Sequence, residues 1–151
     1  MTTEVFTDGA CLGNPGPGGW AFVVDQGPWS SGYEPQTTNQ RMELTAASAA
    51  VQALEGPLCV YSDSTYVVNC FRQEWWKGWL KRGWKNSKKE PVANRDLWEP
   101  FIELVNARGD VEFRWVKGHS GDRLNDAADR LATTAAAQQA NQSGGIYTDA
   151  I

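Results

Sequence analysis

The chain has 151 residues, 41% of them hydrophobic and eight of them tryptophan, enough for one well-buried core and too few for two ordinary domains. A net charge of −4 excludes a uniformly basic nucleic-acid binder, and no apolar run approaches the length of a membrane span or follows a basic leader. A cytoplasmic protein without membrane contact is expected. Cys11, Cys59 and Cys70 are the only cysteines; odd in number and lacking a CxxC spacing, they argue against a disulfide frame or zinc site and for reduced packing residues.

The predicted elements are those of a mixed α/β domain. Val5 to Thr7, Trp20 to Val24 and Trp29 to Tyr33 are strand-like runs separated by Gly/Pro-rich turns, an antiparallel meander. The first turn, in "FTDGACLGNPGPGGW", is neither GxxxxGK[ST] nor GxGxxG, so it is a connection and not a phosphate loop. A helix is predicted from Asn39 to Leu54, capped by Thr37 or Thr38 and stopped at Gly56-Pro57. Leu58 to Tyr61 is a strand, and Ser64 opens the next helix. The tryptophan-rich stretch and Asn94 to Ala107 supply further helices. Val111 to Val116 alternates as a strand. A last helix runs from about Asn125 to Gln138, and "NQSGGIYTDAI" reads as a loose, flexible tail over 141–151. One domain over 1–140 is expected.

The charges are unevenly placed. Eight of the fourteen Lys and Arg residues lie between Arg72 and Arg95 beside two acids, Glu74 and Glu90, so that stretch is +6 and the remainder −10. Trp75, Trp76, Trp79 and Trp84 are interleaved with those bases. A solvated helix face is the plain reading of a charge run, but bases that seat phosphates alternating with rings that stack on sugars make a nucleic-acid groove. At least one of these tryptophans is expected to anchor in the core, as are Trp98 and Trp115.

Four acids stand out. Asp8 ends the first strand and Asp63 the fourth, where ligands of open α/β sheets bind. Glu43 precedes Ala46, Ala47, Ala50 and Leu54 at helical spacings and so borders an apolar stripe. Asp129 in "NDAADRLA" stands in the same relation to Ala128 and Leu131. Singly, each is readable as a boundary carboxylate in a salt bridge or cap.

Together with their flanks they are more specific. From "FTDGACLGNPGPGGW" through "TTNQRMEL", "SDSTYV", "WLKRGWK" and "DLWEPF" to "WVKGHSGDRLNDAADRLA", nearly the whole chain resembles the bacterial type 1 ribonuclease H family. The resemblance implies a ribonuclease H-like five-stranded mixed sheet, its first three strands antiparallel, flanked by helices. It also implies an endonuclease that hydrolyses the RNA strand of RNA/DNA hybrids and leaves 3′-hydroxyl and 5′-phosphate ends.

By the same resemblance Asp8, Glu43, Asp63 and Asp129 hold two Mg²⁺ ions with substrate, Mn²⁺ being the substitute. Asp8 bridges, Glu43 and Asp63 complete the ion site that activates water, and Asp129 completes the one at the leaving oxygen. Clustered carboxylates make sense only when cations neutralise them, and Mg²⁺ takes oxygen ligands while keeping waters for a substrate phosphate. His119, the only histidine, in "KGHSG", takes the part of a proton carrier. Asn14, Asn39 and Gln40 take the family positions that read the 2′-hydroxyl, Thr38 a DNA phosphate and Trp75 a DNA sugar. Trp79, Lys81, Arg82, Trp84 and Lys85 form a basic protrusion within about 72–95. A monomer is expected, its affinity for the hybrid drawn from this domain alone. Two alternatives stay open: a non-catalytic duplex binder using the basic stretch, and another nuclease or strand-transfer enzyme of the same fold.

Overall fold

In the computed structural model, which describes residues 1–118 and 121–150, the meander is longer than its apolar runs suggest. Strands β1 (Thr3–Cys11), β2 (Gly16–Val23) and β3 (Trp29–Thr37) pair antiparallel in sequence. β2 starts at Gly16, inside the expected turn, because the glycines of that stretch pair as an extended chain, Gly16 with Thr37 of β3 and Gly18 and Gly19 with both β1 and β3. Helix α1 (Asn39–Ala53) follows, then β4 (Leu58–Ser62), α2 (Thr65–Arg72), α3 (Trp75–Lys81), α4 (Arg95–Arg108), β5 (Val111–Trp115) and α5 (Arg123–Gln138). β4 lies parallel to β1, and β5 parallel to β4.

These five strands make the expected mixed sheet. A sixth, β6 (Gln142–Gly144), joins antiparallel to β3, giving the order β5-β4-β1-β2-β3-β6. The segment over 141–151, expected to be loose, is therefore built into the sheet edge as far as it is described, and its Tyr147 is fully buried. Its polar, glycine-rich composition hides the fact that one aromatic side chain and a free edge on β3 suffice to seat it.

Strand alternation divides the interior in two. On one face Val5, Phe22, Val60 and Phe113 pack with α1, α2, α3 and α4 around Trp98. On the other, Phe6, Ala21, Val23 and Trp29 pack against Ala127, Ala128, Leu131 and Ala132 of α5. Two glycines set the helix–sheet distances. A Cβ on Gly9 of β1 would stand 2.4 Å from the Glu43 nitrogen, and one on Gly19 of β2 would stand 2.0 Å from the Ala132 oxygen. Only glycine lets α1 and α5 come that close, and both helices carry candidate site acids.

α1 is held at both ends. The Thr38 hydroxyl accepts from the Arg41 N–H at 3.2 Å as its N-cap. At the other end the Arg108 guanidinium, from α4, donates to the carbonyls of Val51, Leu54 and Gly56 at 2.6 to 2.7 Å. This single cation meets one carbonyl of the helix's last turn, that of its C-cap Leu54 and that of the turn after it, at the end where a helix leaves carbonyls without partners.

Candidate active site

The β1/β4 ladder ends at the pair Thr7–Ser62. Asp8 and Asp63 are the next residue on each strand, so two parallel strands deliver their carboxylates side by side at their C-terminal ends. Asp8 is not the strand's last residue as the sequence suggests: β1 runs on to Cys11 against β2, and what stops at Asp8 is its pairing with β4. Glu43 comes down on Asp8 from the first turns of α1, at the approach that Gly9 permits. Carboxylate oxygens of Asp8, Glu43 and Asp63 all lie within 4.8 Å of one another.

This cluster is strained electrostatically. Asp8 and Glu43 are each 4% exposed, and the Gly9 N–H is shared between them, at 2.9 Å to Asp8 Oδ1 and 3.1 Å to Glu43 Oε1. Burial, the largest cause, together with the charges of Asp63 and Asp129, pushes the Asp8 carboxyl up to about 7 against the opposing hydrogen bonds from Glu43 and Gly9. Burial and then the Asp8 charge hold Glu43 well above the usual carboxylate range. Glu43 Oε2 is buried with no donor among the described residues, and the contact between the two carboxyls is attractive only with a proton or a cation between them. An oxygen-only cluster of this size, short of positive charge, has the chemistry of a hard divalent-cation site.

Asp129, half-buried on α5, approaches from the other face of the sheet and is felt at Asp8, but its oxygens are not among those that meet within 4.8 Å. His119, the expected proton carrier, lies outside the described residues. Its neighbour Gly118 does bear on the site: a Cβ there would stand 2.7 Å from Asp63 Oδ2, so Gly118 itself lies against the Asp63 carboxylate.

Beside the acids, the expected strand-reading residues are gathered at the start of α1. Asn14 Oδ1 accepts from the Asn39 N–H at 3.0 Å, which ties the β1–β2 turn to the helix, with Asn39 and Gln40 exposed beside it. Trp75 is half-buried at the start of α3, its indole N–H on Gln73 Oε1 at 3.0 Å, and Lys81, Arg82 and Lys85 are exposed.

Two expectations are corrected here. Trp79 and Trp84, expected on the nucleic-acid surface, are only 8% and 7% exposed and pack on each other, with Trp79 also against the edge of Trp98. Their rings anchor the basic segment in the core, and only its cations face outward. Trp115, expected in the core, is 52% exposed on β5, its indole N–H donating to the Asp63 carbonyl at 3.2 Å. Strand β5 lies at the sheet's edge, and Trp115 is its last residue. Gly9, Gly118 and Trp115 all support the acids, and the sequence marks none of them, because each acts through a neighbour distant in the chain.

The decisive match covers the five core strands and all the helices but the last residue of α5: the family model "RNase H" fits residues 1–137. The chain belongs to the ribonuclease H family. The ribonuclease H of Syntrophomonas wolfei is 50% identical over 137 residues, covering 87% of this chain and 93% of that protein. That of Erythrobacter litoralis is 52% identical over 138 residues, covering 88% and 94%. Among solved structures, LC9-RNase H1, described as a type 1 RNase H with the type 2 active-site motif, superposes with a TM-score of 0.82 at 32% identity, covering 98% of this chain and 77% of that one. The chain is thus a nuclease of the ribonuclease H family, and its acidic cluster fits the metal-dependent active site of such an enzyme.

Proposed function

We propose that this nuclease cleaves the RNA strand of RNA/DNA hybrids internally, as a monomer, leaving 3′-hydroxyl and 5′-phosphate ends. The observation that carries the reading is the meeting of Asp8, Glu43 and Asp63 within 4.8 Å at the end of the β1/β4 ladder, with every acid supplied by one chain. These carboxylates, with Asp129, would hold two divalent cations, Mg²⁺ or in its place Mn²⁺, which would supply an activated water and charge stabilisation at the leaving oxygen.

The protein's own groups do the remaining work. Asp8, at the centre and facing both Glu43 and Asp63, is the residue placed to be shared. Glu43 and Asp63 crowd one side of it, and Asp129 serves the other from α5. His119 is assigned to carry a proton to the leaving oxygen, from the loop whose Gly118 rests on Asp63. Asn14, Asn39 and Gln40, joined at the start of α1 within a turn of Glu43, are short amides suited to a 2′-hydroxyl next to the scissile phosphate. Thr38 already caps α1 with its hydroxyl, so a DNA phosphate here would meet the hydroxyl and the helix N-terminus together. Trp75 offers the partly open ring for a deoxyribose. Lys81, Arg82 and Lys85 seat phosphates from the exposed side of the basic segment.

The test is a labelled RNA/DNA hybrid set beside double-stranded RNA and double-stranded DNA, each with Mg²⁺ and with chelator. Cleavage of the hybrid's RNA strand alone, abolished by chelator, is expected, with products that a 3′-end ligation and a 5′-phosphatase identify. Cleavage of DNA, or cleavage in chelator, would overturn the reading.

A further inference from the structure

We propose that Tyr147 is a positioning residue for Asp129, acting through Arg130 and the roll of α5; the inference rests on the nuclease reading only in the role given to Asp129. The buried side of α5 is built mainly of alanines, with Leu131 its one buried bulky apolar side chain and Leu124 packed partly buried at its start. Alanines let the helix come down on Gly19, but they interlock weakly and leave rotation about the helix axis poorly fixed. The missing bulk comes from beyond the helix. Tyr147 is fully buried in the cluster that joins Trp29 to α5, and its hydroxyl accepts from Arg130 Nη2 at 2.6 Å.

Tyr147 is itself fixed from both sides. Its N–H donates to the Gly27 carbonyl at 2.8 Å and its carbonyl accepts from the Gln26 N–H at 3.1 Å, so the ring stands on the β2–β3 turn. β6 lies just before it in the chain, and two residues after it Asp149 accepts from Arg123 at 2.8 Å, the same arginine that pairs with Asp25 of that turn at 2.9 Å. Arg130 follows Asp129 directly. Neighbouring residues stand about 100° apart around a helix, so a hydrogen bond that fixes Arg130 also fixes the direction in which Asp129 points. With side-chain ends about 6 Å from the axis, a 10° roll of α5 moves the Asp129 carboxylate by about 1 Å, enough to cost up to about 100-fold in rate.

Tyr147→Phe removes the hydroxyl and keeps the ring, so the variant should fold. Three readouts apply to the full chain: kcat and KM on RNA/DNA hybrid, Mg²⁺ affinity of the substrate-free protein by calorimetry, and amide exchange over residues 123–131. Expected are a kcat lower by about tenfold at unchanged KM, weaker Mg²⁺ binding and faster exchange in α5. Arg130→Gln should do the same, and the double variant should be no worse than either single one. A stop after Ala140 should lower kcat further and, in a protein that remains folded at the assay temperature, weaken Mg²⁺ binding. Unchanged kcat, Mg²⁺ affinity and exchange in Tyr147→Phe would overturn the proposal, as would additive effects of Tyr147→Phe and Arg130→Gln. If the wild type cleaved no hybrid, the nuclease reading would fall, while exchange and Mg²⁺ titration would still decide the role of Tyr147.

Discussion

At the scale of single residues, Asp8 illustrates a conflict between stability and function. The same burial that brings it against Glu43 and raises its carboxyl to about 7 makes its ionised form costly, so the protein without cations is less stable than its packing allows. Asp8→Asn removes the charge, keeps the acceptor for the Gly9 N–H and adds a donor toward Glu43. One pKa unit is worth about 1.4 kcal/mol and the rise is about three units, so the variant is expected to be more stable than wild type in chelator by on the order of 4 kcal/mol at pH 8, while cleavage falls to near background and hybrid binding persists. Thermal melts and a gel-shift measurement check both parts. A variant that is no more stable in chelator, or that still cleaves in Mg²⁺, would reduce Asp8 to a strand residue. Asp63→Asn should likewise lose cleavage and retain binding.

Elements turn such residues into a site, and two of them invite direct tests. α1 presents Glu43, and its C-terminal carbonyls depend on Arg108 of α4. Arg108→Ala leaves three carbonyls short of a donor and should destabilise the fold by about 2 kcal/mol, read as a lowered denaturation midpoint, whereas Arg108→Lys should recover part of the loss. The segment containing α3 is pinned by the buried rings of Trp79 and Trp84, the latter under Arg95 at 5.1 Å, so its exposed cations can be changed without touching the core. Replacing Lys81, Arg82 and Lys85 together by alanine should raise KM and leave kcat nearly unchanged. It should also flatten the plot of log affinity against log salt by about 0.9 for each phosphate that the variant no longer neutralises; an unaltered slope would remove these three from the binding surface.

For the whole molecule, the acid cluster should leave its signature on the pH dependence of stability. A buried acid whose folded pKa is raised binds more protons in the native than in the unfolded state, so its contribution is present at low pH and is lost as pH rises through the window from the usual carboxylate value to about 7. In chelator the melting temperature is therefore expected to fall between pH 5 and 8 by more in wild type than in Asp8→Asn, and saturating Mg²⁺ should remove most of that difference by binding the folded site. Parallel curves for the two proteins would show that the cluster stores no such strain. Charge is segregated on the same scale: the basic stretch of +6 sits on a body of −10, so an acidic enzyme still presents one face to a polyanion.

How much of this was readable in the chain depends on the range over which the information acts. The order of the five core strands and the helices, a helix cap at Thr37 or Thr38, of which the structure uses Thr38, and the family follow from periodicity, turn chemistry and long matched motifs, all of them local in sequence or carried by whole blocks of it. The strand boundaries were less legible, because Gly16 to Gly19 look like turn residues until a partner strand holds them extended. The convergence of Asp8 and Asp63 was suggested by their places at strand ends and that of Glu43 by the family resemblance, yet it depends on Gly9, whose missing side chain matters only once α1 lies over β1. The fates of the tryptophans could not be told apart by composition, since a ring beside lysines serves a core as well as a surface. Packing turned Trp79 and Trp84 inward and left Trp115 open at the sheet edge. Tyr147 is the sharpest case: in a polar, glycine-rich stretch nothing local predicts order. The order of residues along the chain was enough for the family and for every element but β6. Packing alone settled which rings are buried and that residues beyond α5 brace it, because burial and long-range hydrogen bonds exist only between segments that folding brings together.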